Sequence, residues 1–139
     1  MITINPPIRG NDVHGNGAFG APRGSRTHNG IDMVCARDSI VLSVCNGRVT
    51  KVGYPYSTDD PKKGHLRYVQ VTDEEGYDVR YFYCLPHNVK IGDNVRKGDA
   101  IAITQGLLKV YPGITDHFHF EVKYKGGYEN PHHYIELTE

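Results

Sequence analysis

Two short stretches carry residues able to bind a metal ion or move a proton: His28-Asn29-Gly30-Ile31-Asp32 and His117-Phe118-His119-Phe120-Glu121. In the second, both histidines alternate with Phe118, Phe120 and Val122. On a strand this period puts the imidazoles on one face and the phenylalanines on the other. A buried phenylalanine face would hold the strand while the histidines line a groove; the competing reading is a solvated polar face. In the first stretch Asn29-Gly30 is a turn signal, and Ile31-Asp32-Met33-Val34 has the composition of a strand. Extended residues an even number apart share a face, so His28 and Asp32 can converge on one ion. Alternatively His28 sits in a polar loop and Asp32 accepts a backbone hydrogen bond. Imidazole and carboxylate are both ordinary zinc ligands. Together His28, Asp32 and His119 supply three, the number a catalytic zinc site keeps when its fourth place is left to water. His117 would stand near that water without binding metal. No HExxH occurs, which excludes the helix-borne metalloprotease arrangement.

The rest of the chain must position these residues, and its 139 residues suffice for one domain spanning 1–139. Lys plus Arg and Asp plus Glu both number 16, so the formal net charge is zero. The basic footprint of a nucleic-acid binder is missing, and no apolar run approaches the ~20 residues of a membrane span. Three cysteines, Cys35, Cys45 and Cys84, do not make a disulfide framework and match no zinc-knuckle spacing. Residues 1–27 are rich in Gly, Asn, Pro and Arg and read as an irregular N-terminal arm. Beyond them, short runs rich in Val, Ile, Tyr and Thr recur between turn signals: 31–35, 39–44, 48–52, 66–72, 78–85, 100–104 and 117–124. Asn46-Gly47, Glu75-Gly76 and Gly126-Gly127 mark turns. Residues 54–65 read as an exposed polar loop, and no segment holds a 3.6-residue period for three turns. The expected class is all-β: a compact antiparallel β-sandwich whose long loops border a groove.

The chain resembles the lysostaphin-type, or LytM-like, zinc endopeptidases. Phe19-Gly20 with Arg23, His28-x-Gly30-x-Asp32, Asn46-Gly47-Arg48-Val49, the Val89–Asp99 segment, His117-x-His119-Phe120-Glu121 and Asn130-Pro131 follow that family's pattern in order. The resemblance implies His28, Asp32 and His119 as Zn2+ ligands and His117 as a catalytic histidine. It also implies a second catalytic histidine nine residues before Gly92, where this chain has Tyr83. His87 would reach that place only through a rebuilt loop. Residues 27–35 and 106–121 are similar to the leukocyte cell-derived chemotaxin branch of the family, which keeps the zinc site, carries a tyrosine near the missing histidine and has no accepted peptidase activity. That branch's disulfides are not reproduced: Cys35 matches one of its cysteines, but the N-terminal arm offers no partner.

The function the resemblance implies is zinc-dependent cleavage of short peptide cross-links in bacterial peptidoglycan. Zinc would bring the pKa of a bound water toward neutrality, His117 would act as base, and Tyr83 would donate to the oxyanion in place of the histidine. The alternative is a weakly active or inactive zinc-binding module for a peptide, glycan or receptor. A biotinyl-carrier reading of the Asn46–Gly53 and Val89–Ala102 segments lacks a modified-lysine turn and leaves the histidines unexplained. Tyr54, Tyr56, Tyr111 and Tyr128 stand in loop-like segments where they could stack on substrate, and Cys84 reads as a small buried hydrophobe. His132 and His133 are placed in a C-terminal turn. The expected partner is a peptidoglycan peptide, the expected state a monomer. No signal peptide is visible, so the chain would be made in the cytoplasm and would act at the cell wall or periplasm after phage release or specialised secretion.

Overall fold

Alternating apolar and polar residues favour strands, and strands dominate the computed structural model, which describes residues 17–23 and 26–138. In chain order they are β1 (Pro22–Arg23), β2 (Arg26–Thr27), β3 (Ile31–Val34), β4 (Ile40–Leu42), β5 (Gly47–Gly53), β6 (Tyr68–Asp73), β7 (Asp78–Phe82), β8 (Cys84–Pro86), β9 (Asn94–Val95), β10 (Ala100–Thr104), β11 (His117–Tyr124) and β12 (Gly127–Glu129), followed by one helix, α1 (Pro131–Thr138). Every strand pairing is antiparallel. The main sheet runs β12-β11-β7-β6-β5-β9, and β3 also pairs with β11. A smaller sheet, β4-β10-β8, lies apart from it, and β1 with β2 forms a two-stranded ribbon. The ribbon replaces irregular chain at the end of the expected arm, whose residues 1–16 and 24–25 lie outside the described residues.

Burial follows the period-two arithmetic. On β11 Phe118, Phe120 and Val122 are buried, and the facing strands add Val79, Tyr81, Val69, Val71 and Val49. Phe120 lies opposite Tyr81, and Tyr81 opposite Val69, so one face of the sheet is a continuous apolar layer. The other face carries His119, Glu121, Arg80 and Gln70. The register sets Glu121 beside Arg80 and Arg80 beside Gln70. A polar row therefore crosses three strands on the face away from the core.

Two expectations need correction. The single run expected over 78–85 is broken at Tyr83, where φ is +66°. The N–H groups of both Tyr83 and Cys84 donate to the Arg67 carbonyl, at 2.7 and 3.1 Å, so two residues oppose one across a β-bulge. Strict alternation would turn Tyr83 to the same side as Tyr81, into the core. The bulge instead leaves Phe82 and Tyr83 both facing the groove and returns Cys84 to full burial. The second correction is α1. Asn130 Oδ1 accepts the His132 N–H at 3.0 Å as its cap, and Pro131 fills the first helical position. Exposed His132 and His133 thus begin a helix, not a turn. A pattern of eight residues is too short to declare a helical period.

Candidate metal centre and groove

β3 and β11 bring the two chemical stretches together. Their register places His119 directly opposite Asp32 and His117 opposite Val34. His28 precedes β3 in a loop held at both ends: its N–H donates to Ala21 O (2.8 Å), and its carbonyl accepts from Gly20 N–H (2.9 Å). Gly30 makes the approach possible. A Cβ there would collide with the Phe120 carbonyl and stand 2.9 Å from Glu121 Cβ and 3.0 Å from His119 Cε1. Gly30→Ala is therefore expected to push β11 away and destabilise the metal-free fold by about 1–3 kcal/mol. A thermal melt of the chelated variant beside chelated wild type checks this; coincident melts would contradict the crowding.

The three side chains converge closely. His28 Nε2 lies 3.0 Å from His119 Nδ1 and 3.2 Å from Asp32 Oδ1, and His119 Nδ1 lies 3.0 Å from the same oxygen. Zinc bonds of ~2.0–2.1 Å at tetrahedral angles separate donor atoms by about 3.3 Å, close to this triangle. Hydrogen bonds made outward by the rings define the tautomers. His28 Nδ1 faces Ala18 O at 3.0 Å, and His119 Nε2 faces Glu121 Oε1 at 2.8 Å. Assigning the ring protons to those contacts turns a lone pair of each histidine inward, toward each other and toward a carboxylate oxygen. Three converging lone pairs repel unless a cation sits among them. The donor set thus fits a metal ion, and these residues form the group able to hold one among the described residues.

Electrostatics point the same way. Burial opposes ionisation of Asp32, yet the histidines around it, His119 foremost, outweigh burial and hold its carboxyl well below the usual carboxylate range. Burial likewise opposes charge on His119, but Asp32 and Glu121 outweigh it and raise its pKa. A proton can thus take the place of a metal ion on His119. Glu121 is itself held by Arg80, 3.5 Å away, and Arg80 Nε donates to Gln70 Oε1 at 2.7 Å. Such outward partners orient metal-binding histidines. Sequence reasoning quoted Glu121 but gave it no role, although the period that aligns His117 with His119 includes it.

The site lines a groove of about 370 Å³. His117 is buried in its wall; its Nδ1 faces Thr115 O at 2.7 Å, and its Nε2 stands 3.5 Å from Asp32 Oδ2. Tyr83 meets the His117 ring edge-on at 5.9 Å between centroids. Loop 54–65 brings in Tyr56, and the segment before β11 brings in Tyr111, Leu107 and Ile114. The Tyr56 hydroxyl lies 3.3 Å from that of Tyr83 and 3.0 Å from that of Tyr111. The other two loop tyrosines are elsewhere: Tyr54 packs under Arg67 and Tyr128 under Lys123. His87 does not line the groove and meets Asn88. All three cysteines are buried and free, and burial pushes their thiols up, Cys35 to about 11, so none is poised as a nucleophile. No helix among the described residues is long and apolar enough to cross a membrane.

Comparison with known proteins bears on the family and the fold. Residues 26–131 match the model of peptidase family M23. Leukocyte cell-derived chemotaxin-2 of Bos taurus is 31% identical over 114 residues, 82% of this chain and 72% of that protein. Among solved structures, LytU is similar with a TM-score of 0.68 at 24% identity, over 99% of this chain and 90% of that one. The antimicrobial peptidase lysostaphin from Staphylococcus simulans is similar with a TM-score of 0.68 at 18% identity, over 92% of this chain and 50% of that one. At these identities the solved structures speak for the fold: an antiparallel β architecture shared along nearly the whole chain.

Proposed function

Because the chain belongs to peptidase family M23, we propose that it is a zinc-dependent endopeptidase acting on short peptide cross-links of peptidoglycan, with His28, Asp32 and His119 as metal ligands. The observation that carries this reading is the convergence of three lone pairs beside a groove whose wall holds a further histidine. When bound there, zinc would supply Lewis acidity, polarising the scissile carbonyl and acidifying the attacking water. The chain's own residues do the rest. The Thr115 carbonyl fixes the His117 proton on Nδ1, which leaves Nε2 to accept a proton from water in the groove. Tyr83 keeps its hydroxyl proton, because burial pushes its pKa well above the ordinary value. It therefore acts as a hydrogen-bond donor to the developing oxyanion, not as a proton shuttle. The action of such an enzyme belongs at the cell wall, and residues 1–139 constitute one catalytic domain.

A second reading is favoured by Tyr83 itself and by the similarity to chemotaxin-2. Here the metal is structural and the groove binds a peptide or glycan without cleaving it. Release of dye from labelled, purified cell walls separates the two. The enzyme reading predicts release that stops with chelator and returns with zinc. No release by zinc-loaded protein, across glycine-rich and D-alanine-containing cross-links, decides for the binding module.

A further inference from the structure

The hydroxyls of Tyr111, Tyr56 and Tyr83 form a file that leads from the outer loops to the metal-facing end of the groove, at 3.0 and 3.3 Å steps. Each hydroxyl has one proton, so the question is whether Tyr83 spends its own inside the file. If Tyr83 donates to Tyr56, its proton is consumed. If Tyr111 donates to Tyr56 and Tyr56 to Tyr83, the Tyr83 proton stays available to the groove. An oxyanion in the groove decides, because a negative oxygen is a stronger acceptor than the neutral Tyr56 hydroxyl and draws the Tyr83 proton to itself. The Tyr83 oxygen is then left to accept from Tyr56, and Tyr56 from Tyr111. The Lys63 ammonium stands over the rings of Tyr56 and Tyr111, 5.1 and 5.2 Å from their centroids.

Three further features support that polarity. The Tyr83 side chain has no hydrogen bond to another group among the described residues, so a proton not spent on Tyr56 has the groove as its destination. Burial keeps Tyr83 and Tyr111 protonated, so the file is one of neutral hydroxyls. The rings are seated against an apolar patch of Leu66, Leu107 and Ile114, which holds them in place. In such surroundings successive hydrogen bonds polarise one another, and a donor that also accepts is a stronger donor.

We propose that Tyr56 and Tyr111 are positioning residues: they receive no substrate proton themselves, but orient the Tyr83 hydroxyl so that its proton points at an oxyanion beside the metal. This rests on the assignment of the metal site and of Tyr83, and it extends that assignment to two loops that lie far apart in sequence.

The test is a double-mutant cycle read on binding as well as turnover. Inorganic phosphate serves as an oxyanion probe, and calorimetry measures its affinity for the zinc-loaded protein. Tyr83→Phe and Tyr56→Phe should each weaken phosphate by about threefold to tenfold, the worth of one hydrogen bond. Tyr111→Phe should do so less. Tyr56→Phe should add nothing once Tyr83 is Phe, because it acts only through that hydroxyl. On cell walls the same variants should lower kcat with KM unchanged. Zinc content and melting temperature should stay at wild-type values, which a general packing role would not allow. Phosphate affinity that is undetectable in the wild type, unchanged in either single variant, or lowered by Tyr56→Phe equally with and without Tyr83, overturns the proposal. A chain that takes up no zinc overturns both this and the reading beneath it. Coupled phosphate binding in a wild type that cleaves nothing overturns the peptidase reading alone.

Discussion

His119→Ala is expected to leave the protein without zinc and with a lower melting temperature. On the proposed assignment three ligands would hold the ion, and His119 is the one on β11, opposite Asp32 of β3. Its removal leaves an imidazole and a carboxylate, which rarely hold zinc against water. The loss is also a loss of fold stability, because metal that binds only the native state stabilises it by linkage. Free zinc at about a thousandfold over Kd contributes about 4 kcal/mol. For a domain of this size each kcal/mol is worth a few degrees, so chelation of the wild type should lower its melting temperature by about 10 °C. The chelated wild type should approach the variant. The effect depends on pH with a definite sign. In the metal-free protein His119 has a raised pKa, so its protonated form stabilises the fold fully below the unfolded value of about 6.5. That contribution is lost as pH rises through the folded pKa. Asp32 is depressed, so its contribution is present above the unfolded value of about 3.9 and is lost on acidification. Chelation should therefore cost more stability at pH 8 than at pH 6. Elemental analysis and paired melts measure all of this. Full zinc occupancy in His119→Ala, or unchanged melts after proven metal removal, would remove His119 from the ligand set.

His117→Ala is expected to abolish turnover while zinc stays bound. His117 Nε2 is 3.5 Å from Asp32 Oδ2, but its ring lies outside the tight triangle formed by the other three residues. The variant should therefore keep its metal. Loss of a general base typically costs about 10²–10⁴ in rate. Loss of an oxyanion donor costs about 10²–10³. Tyr83→Phe should lower kcat with KM unchanged, and His117→Ala should lose at least as much turnover. Initial rates on labelled cell walls, with zinc content measured on the same samples, separate these effects. Turnover in His117→Ala at the wild-type rate would refute its assignment as base.

Much of this site is legible in the one-dimensional pattern, because the pattern's physics is local. Alternation along 117–124 fixes which residues share a face whatever the strand pairs with, so His117, His119 and the buried phenylalanines sort correctly. The strand class, the turns and the ligand types belong to the same category. Gly30 is legible only as a motif letter; its reason, a Cβ driven into the Phe120 carbonyl, exists only once β11 lies against it. Glu121 could have been read from the same period but acquires its role from Arg80, a neighbour 41 residues away.

What tertiary structure alone decided is which segments meet and where alternation breaks. His28 and His119 are 91 residues apart, and nothing in either stretch encodes the 3.0 Å between their nitrogens. That distance comes from the β3–β11 register, which the whole apolar layer sets. A bulge of one residue reverses the parity of everything after it, and so Tyr83 faces the groove though strict alternation sends it to the core. Tyr56 and Tyr111 come from loop-like segments where stacking on substrate could be read, but not the meeting of their hydroxyls, because loop placement depends on contacts made elsewhere. The residue types and their spacing thus determined the chemistry this protein can hold, and long-range packing decided which of those groups act on one another.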